Sequence, residues 1–179
     1  DSFLVREGIA QLLGRCDEVE VVALREDLPG LLDAVESTAP DVVLTDIRMP
    51  PTHTDEGIRA AATLRDAHPE VGVVVLSQYA EPGYALALLE GGSEGRAYLL
   101  KERVSDVTQL LGAVQEVARG GSVIDPKVVE VLVTARSRTP RSPLEHLTPR
   151  ESEVLAEIAQ GKNNAAVAAS LALSERAVE

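Results

Sequence analysis

Four short apolar runs alternate with segments of helical periodicity, and this alternation constrains the fold of residues 1–120 more than any other feature. The runs are Val19–Leu24, Asp41–Thr45, Val71–Leu76 and Ala97–Leu100. Short strands separated by amphipathic helices are typical of β-α-β units, which form a parallel sheet. The runs are almost wholly apolar, as expected for strands that helices cover on both faces.

The sequence opens on a helical pattern rather than on a strand, with Leu4, Ile9 and Leu13 among the residues on one side. A helix at the start of such an alternation should follow a strand. We therefore expect a first strand that ends at or just before Asp1 and lies outside this sequence. The expected fold is then an α/β domain with five parallel strands and five helices.

The carboxyl-terminal part predicts a second, smaller unit. Asp125 can cap a helix that has Pro126 at its first position, and residues 135–147 are rich in Ser, Thr, Pro and Arg, as in a linker. The expected domains are residues 1–121, a helix and linker over 122–146, and a helical domain over 147–179.

Three short helices are predicted in that last domain. Thr148-Pro149-Arg150-Glu151 is a capping box, in which Thr148 caps the helix and Glu151 reaches back to it. Gly161 ends the first helix, and Asn163 and Ser174 can cap the second and third. Short helices with tight turns indicate a helix-turn-helix.

The charge is distributed unevenly. The chain has 17 basic and 29 acidic residues, a net charge of −12, yet residues 136–179 carry six of each. The excess acid therefore lies in the first part, which is a poor nucleic-acid surface and a plausible cation site. A single cysteine, Cys16, excludes an intrachain disulfide. No apolar stretch is long enough for a membrane span, and no signal peptide is visible.

Reactive side chains follow the predicted strands. Asp46, Ser77 and Lys101 stand at the carboxyl ends of three strands, and Asp1 would close the first. Ligands of parallel sheets gather at that edge. Two carboxylates can hold Mg²⁺, and an amine can neutralise a transferring phosphoryl group. This set suits phosphoryl transfer to a carboxylate.

Four blocks in this order resemble a receiver domain of the NarL/FixJ response regulators. They are Asp1 with Leu4–Ile9, Leu44–Pro50, Val75–Ser77 and Tyr98–Lys101. The resemblance covers residues 1–120 and implies a flavodoxin-like, doubly wound parallel sheet.

The resemblance also implies a role for each matched residue. Asp46 is then the phosphoacceptor, and Mg²⁺ is held by Asp1, Asp46 and the backbone carbonyl of Arg48. Ser77 is the switch hydroxyl, Tyr98 the switch aromatic and Lys101 the phosphate-contacting amine. The loop after Asp46 is longer than the usual family run, which we expect to alter its shape more than its chemistry.

Residues 147–179 resemble a LuxR-type helix-turn-helix, through Leu147–Glu151, Gly161–Asn164 and Ser174–Glu179. By this resemblance the helix that begins at Ser174 enters the major groove. The candidate DNA-binding residues are Lys162, Asn163, Asn164, Ser174, Arg176, Val178 and Glu179.

The sequence thus indicates a cytoplasmic transcription regulator without turnover activity. A sensor histidine kinase is the expected phosphoryl donor, and a homodimer that binds double-stranded promoter DNA is the expected output. One alternative is a regulator whose output is protein interaction, or that does not depend on phosphorylation. Another is a phosphate-transfer or hydrolytic enzyme that uses the same acid cluster.

Overall fold

A computed structural model describes residues 3–138, 148–159 and 161–174. The chain forms two compact units, Asp1–Ala135 and Arg136–Glu179. No helix in the described ranges has the length and apolar character needed to cross a membrane.

The first unit alternates helices and strands. Its elements, in chain order, are α1 (Phe3–Leu13), α2 (Leu28–Thr38), β1 (Val42–Asp46), α3 (Glu56–Ala67), β2 (Gly72–Ser77), α4 (Pro82–Leu89), β3 (Arg96–Leu100), a 3₁₀ segment (Lys101–Ser105), α5 (Val107–Ala118), β4 (Ser122–Ile124) and α6 (Pro126–Arg138).

The described strands form one parallel sheet in the order β1-β2-β3-β4. Every residue of β2 and β3 is buried. Alternate side chains of β2 point to opposite faces. Val73 and Val75 pack in a core cluster with residues of α2, α3 and α4, whereas Val74 and Leu76 pack in a second cluster with α1 and α5. This two-sided core is the doubly wound α/β architecture that the alternating pattern predicts.

The prediction of a strand at Val19–Leu24 was wrong for the described structure. The segment is neither helix nor strand, and Val21, Val22 and Leu24 are 37%, 49% and 39% exposed. A strand exists through hydrogen bonds to a neighbouring strand, and no described strand lies beside this segment. The sequence analysis also missed β4, which is only three residues long and pairs Tyr98 with Ile124.

Helix α6 begins as predicted, because the Asp125 side chain accepts a hydrogen bond from the backbone N–H of Lys127 at 2.9 Å. It extends to Arg138, into the stretch that we had assigned to the linker. Val128 is fully buried in the core of the first unit.

The second unit has two described helices, α7 (Pro149–Ala159) and α8 (Asn164–Leu171). The predicted capping box is confirmed: Thr148 N and Oγ1 each lie 2.7 Å from Glu151 Oε2. Asn163 caps α8 by accepting a hydrogen bond from Ala166 N at 2.9 Å. The predicted third helix lies outside the described residues beyond Ser174.

Candidate functional site

The carboxyl edge of the sheet brings a carboxylate and an amine into contact. Asp46 is the last residue of β1, and Lys101 directly follows β3. Lys101 Nζ lies 2.7 Å from Asp46 Oδ2, with side-chain exposures of 21% and 15%. Because both groups are partly withdrawn from water, their attraction is stronger than that of an ordinary surface pair. The structure thus brings together two of the residues that the sequence placed at this edge.

Ser77 and Tyr98 share one acceptor beside that pair. Ser77 Oγ donates to the backbone carbonyl of Tyr79 at 2.8 Å, and the Tyr98 hydroxyl donates to the same oxygen at 3.0 Å. Tyr98 is fully buried, and this burial raises the pKa of its hydroxyl. The hydroxyl is therefore held as a protonated donor, and the Tyr79 carbonyl links two residues that the resemblance singled out.

These groups border a small open pocket of about 30 Å³. Its lining residues come from the ends of β1, β2 and β3 and from the start of α4. They are Asp46, Ile47, Arg48, Ser77, Gln78, Tyr79, Glu81, Tyr84 and Lys101. The pocket holds side chains of both charges and is open to solvent.

A second ion pair crosses the same pocket. Arg48 Nη2 lies 3.1 Å from Glu81 Oε1, and the guanidinium carbon stands 5.9 Å from the centre of the Tyr84 ring. The Tyr84 hydroxyl donates to the carbonyl of Thr54 at 3.0 Å. All three contacts join the loop after β1 to the start of α4.

A buried carboxylate organises the loop between β1 and α3. Glu56 is fully buried and accepts hydrogen bonds from the N–H groups of Met49, Thr52 and Thr54 at 3.3, 2.9 and 3.0 Å, and from the Thr52 hydroxyl. Burial alone would raise the pKa of Glu56, but these donors outweigh it and lower the pKa to about 2. The carboxylate is therefore ionised at neutral pH and fixes the loop that follows the Asp46 strand.

Gly57 allows α3 to begin directly against the end of β1. Its N–H donates to the carbonyl of Ile47 at 2.8 Å. A β-carbon at this position would lie 2.0 Å from the carbonyl oxygen of Asp46, which is far inside contact distance. Only glycine fits here, so the backbone of Asp46 is held between the sheet and α3.

The sequence analysis missed four residues of this region: Glu56, Gly57, Glu81 and Tyr84. The Asp55-Glu56-Gly57 run offered a weak signal, because a glycine inside a helical start often marks a close backbone approach. Nothing in the sequence marked Glu81 or Tyr84, since their roles depend on how α4 stands beside the loop.

The expected metal site can be described only in part. Asp1 lies outside the described residues, and those within them contain no group of three or more His, Cys, Asp and Glu side chains that could hold a metal ion. Asp46 supplies a carboxylate at an open pocket, which is the oxygen chemistry that Mg²⁺ prefers. Receiver domains generally bind Mg²⁺.

The candidate DNA-binding residues are placed in part. Lys162 pairs with the carboxylate of Glu157, and the side-chain oxygen of Asn163 caps α8. Asn164 and Ser174 are exposed. The remaining candidates, Arg176, Val178 and Glu179, lie outside the described residues.

Comparison with known proteins identifies both units. Residues 1–115 match the family model of the response regulator receiver domain, and residues 145–179 match that of the bacterial regulatory proteins of the luxR family. The whole chain is 36% identical to the transcriptional regulatory protein DegU of Brevibacillus brevis, covering 80% of that protein. It is 31% identical, again over its whole length, to the oxygen regulatory protein NreC of Staphylococcus carnosus, covering 83% of it.

A solved structure supports the same assignment. In a structure of two RcsB dimers bound to two parallel DNAs, the RcsB chain is 26% identical, with a TM-score of 0.62. The alignment covers 99% of this chain and 82% of that one. The matched families consist of transcription-regulating response regulators rather than classical enzymes. The chain belongs to the two-component response regulators of the NarL/FixJ type, with a receiver domain followed by a LuxR-type DNA-binding domain.

Proposed function

We propose that Asp46 accepts a phosphoryl group from a sensor histidine kinase and that this modification controls transcription. One observation carries the proposal: the Asp46 carboxylate opens into a pocket and is paired with Lys101 at 2.7 Å. An oxygen of Asp46 attacks phosphorus, the bond from phosphorus to the donor histidine nitrogen breaks, and an acyl phosphate forms. Lys101 then neutralises charge on the transferred group.

Mg²⁺ is the expected cofactor of this step. Asp46, Asp1 and the backbone carbonyl of Arg48 would hold it, and when bound it neutralises negative charge on the phosphoryl oxygens. Lys101 keeps its own role as the amine that faces the carboxylate. The protein accepts and slowly loses the phosphoryl group and has no separate substrate.

Ser77 is the proposed switch hydroxyl. Its bond to the Tyr79 carbonyl at 2.8 Å can be exchanged for one to a phosphoryl oxygen. The carbonyl then keeps its bonds from the Tyr98 hydroxyl at 3.0 Å and from the Glu81 N–H at 3.1 Å. As the proposed switch aromatic, Tyr98 would be expected to move inward on phosphorylation. Tyr98 is already buried in this structure, so exchange of the Ser77 hydrogen bond can begin the switch without that movement.

The proposed output is a homodimer that binds promoter DNA in the cytoplasm. Two-fold symmetric dimers match two half-sites, with the helix after Ser174 in the major groove. Lys162 and the amide end of α8 at Asn163 and Asn164 are the proposed phosphate contacts. Ser174, Arg176, Val178 and Glu179 are the proposed contacts of the reading helix. We also propose a functional division into a receiver over 1–121, a connection over 122–146 and a DNA-binding domain over 147–179.

Intact mass tests the first half of this proposal. The full-length protein and Asp46→Asn are incubated with acetyl phosphate, with and without Mg²⁺. We expect a gain of a single phosphoryl group in the parent protein with Mg²⁺, and none in the variant. No gain in the parent, or an equal gain in Asp46→Asn, would refute Asp46 as the acceptor.

The same samples test the output. Each is applied to a pool of random-sequence duplex DNA, and the bound fraction is sequenced. Phosphorylated protein should enrich a two-fold symmetric sequence and sediment as a dimer, whereas Asp46→Asn should do neither. Equal enrichment by both samples would show an output that does not depend on phosphorylation.

A further inference from the structure

The pocket beside Asp46 contains a cation that the proposed transfer does not use. Arg48 and Lys101 are the two basic residues in its lining, and Lys101 is already paired with Asp46. The Arg48 guanidinium is paired with Glu81 at 3.1 Å instead. The Arg48 and Glu81 side chains are 48% and 40% exposed, so their attraction is weak and easily exchanged.

Phosphorylation would change the charge balance of this pocket. The carboxylate of Asp46 carries one negative charge, and Lys101 matches it. A phosphoryl group carries about −1.5 to −2 charges and presents three acceptor oxygens. Lys101 and the Mg²⁺ of the proposed step would each neutralise part of that charge, and Arg48 is the other basic side chain in the lining.

Arg48 also has the right chemistry for this role. A guanidinium presents a planar fork of donors that matches a phosphate better than a lone ammonium does. Charge-assisted bonds of arginine to phosphate are among the strongest hydrogen bonds in proteins. Glu81 offers Arg48 a singly charged, half-exposed partner, which a phosphoryl group two residues away in the chain can outcompete.

We propose that the Arg48 guanidinium leaves Glu81 and binds the phosphoryl group on Asp46, an inference that rests on the proposed function. Arg48 is then a second basic side chain, beside Lys101, that binds the phosphoryl group. The exchange also removes the ion pair that ties the loop after β1 to the start of α4. The Tyr84 hydroxyl bond to Thr54 still connects the loop and the helix.

A double-mutant cycle tests the exchange through binding, without any turnover. Beryllofluoride, which mimics a phosphoryl group on a carboxylate, is titrated with Mg²⁺ into the full-length protein and followed by fluorine NMR. The variants are Arg48→Ala, Glu81→Gln and the double variant. We expect Arg48→Ala to need about tenfold more beryllofluoride for half-saturation, as for loss of a charged hydrogen bond.

Glu81→Gln should act in the opposite direction, because it releases Arg48. We expect it to tighten binding by about twofold to threefold, the strength of an exposed ion pair. The decisive quantity is the coupling: this gain should shrink by more than half when Arg48 is absent. Arg48→Lys, which keeps the charge but not the fork, should fall between the parent and Arg48→Ala.

Arg59→Ala is the matched control, because Arg59 is an exposed arginine on α3 outside the pocket lining. It should bind beryllofluoride as the parent does. Parent-like binding by Arg48→Ala would overturn the inference, as would an equal gain from Glu81→Gln in both backgrounds. If the parent protein itself binds no beryllofluoride with Mg²⁺, the proposed function fails, and the exchange fails with it.

Discussion

The two ends of the central sheet hold their basic side chains in different ways. At the carboxyl end, Lys101 faces the Asp46 carboxylate. At the amino end, Arg96 donates to the carbonyls of Val71 and Gly95, and Arg65 donates to those of Leu88 and Gly92. Burial lowers the pKa of Arg96, and the nearby charge of Arg65 adds to that effect.

The partner of each cation decides whether that end of the sheet can react or only supports the structure. A carboxylate is a nucleophile that can be modified, and its partner can follow the new charge. A backbone carbonyl is not modified in this way, so a cation bonded to it only holds the backbone in place. Arg65 lies at the carboxyl end of α4, where a cation stabilises the exposed carbonyls and the helix dipole. The amino end therefore fixes the ends of β3 and α4, while the carboxyl end remains free to react.

The largest expected effect comes from the backbone at the carboxyl end. Gly57→Ala should lower the free energy of unfolding by about 3 kcal/mol, as for severe overpacking, because its β-carbon would meet the Asp46 carbonyl at 2.0 Å. Urea denaturation measures this change. Gly112→Ala in α5 is the control, since nothing lies within 4 Å of the added carbon. It should be neutral or stabilising by about 0.5–1 kcal/mol. Equal stability of the two variants would show that the carboxyl end of β1 can shift to make room for the added carbon.

Replacing one basic residue at each end of the sheet with methionine should separate stability from reactivity. Arg65→Met should cost about 1–2 kcal/mol of stability, for lost charged hydrogen bonds, and leave the phosphoryl mass gain unchanged. Lys101→Met should change stability by less, about 1 kcal/mol, and reduce phosphorylation by acetyl phosphate. Urea denaturation and intact mass measure both properties on each variant. A loss of phosphorylation in Arg65→Met would mean that the two ends are not independent.

A further prediction concerns the buried carboxylate, and its signature is pH dependence. The pKa of Glu56 is lowered from 4.5 to about 2, so its ionised form contributes stability that is fully present above pH 4.5. This contribution is lost as the pH falls through about 2. Glu56→Gln should therefore be less stable than the parent at pH 7, and the difference should narrow between pH 4.5 and 2. Thermal unfolding at several pH values tests this, and a constant difference would contradict the assignment.

Much of this fold could be predicted because apolar periodicity reports burial directly. The runs that became β1, β2 and β3 are almost wholly apolar, and the contact of Asp46 with Lys101 follows from their parallel order. Val19–Leu24 was misassigned, since periodicity reports which residues favour a strand but not whether a partner strand is present. β4 was missed because three residues are too few to show a period.

The site residues at the strand ends could be predicted from the sequence, and those in the loop after β1 and in α4 could not. Topology alone brings the last residues of neighbouring parallel strands together, so Asp46, Ser77 and Lys101 could be grouped from the sequence. Glu81 and Tyr84 contact the loop after β1 through the placement of α4, which no local pattern encodes. The buried state of Glu56 also escaped prediction, because isolated glutamates are usually exposed.

The loop after β1 has a consequence for how this protein tolerates change in length. Its two ends are joined where it leaves the strand: Met49 N–H bonds to Glu56 at 3.3 Å, and Gly57 N–H bonds to Ile47 at 2.8 Å. Residues 50–55 thus form a closed ring, from which the Thr52 and Thr54 N–H groups also bond to Glu56. Doubling such a ring costs only about 0.6 kcal/mol of closure entropy. A peptide tag or a spectroscopic label that leaves the Thr52 and Thr54 bonds to Glu56 intact would therefore stand beside Asp46 without displacing it.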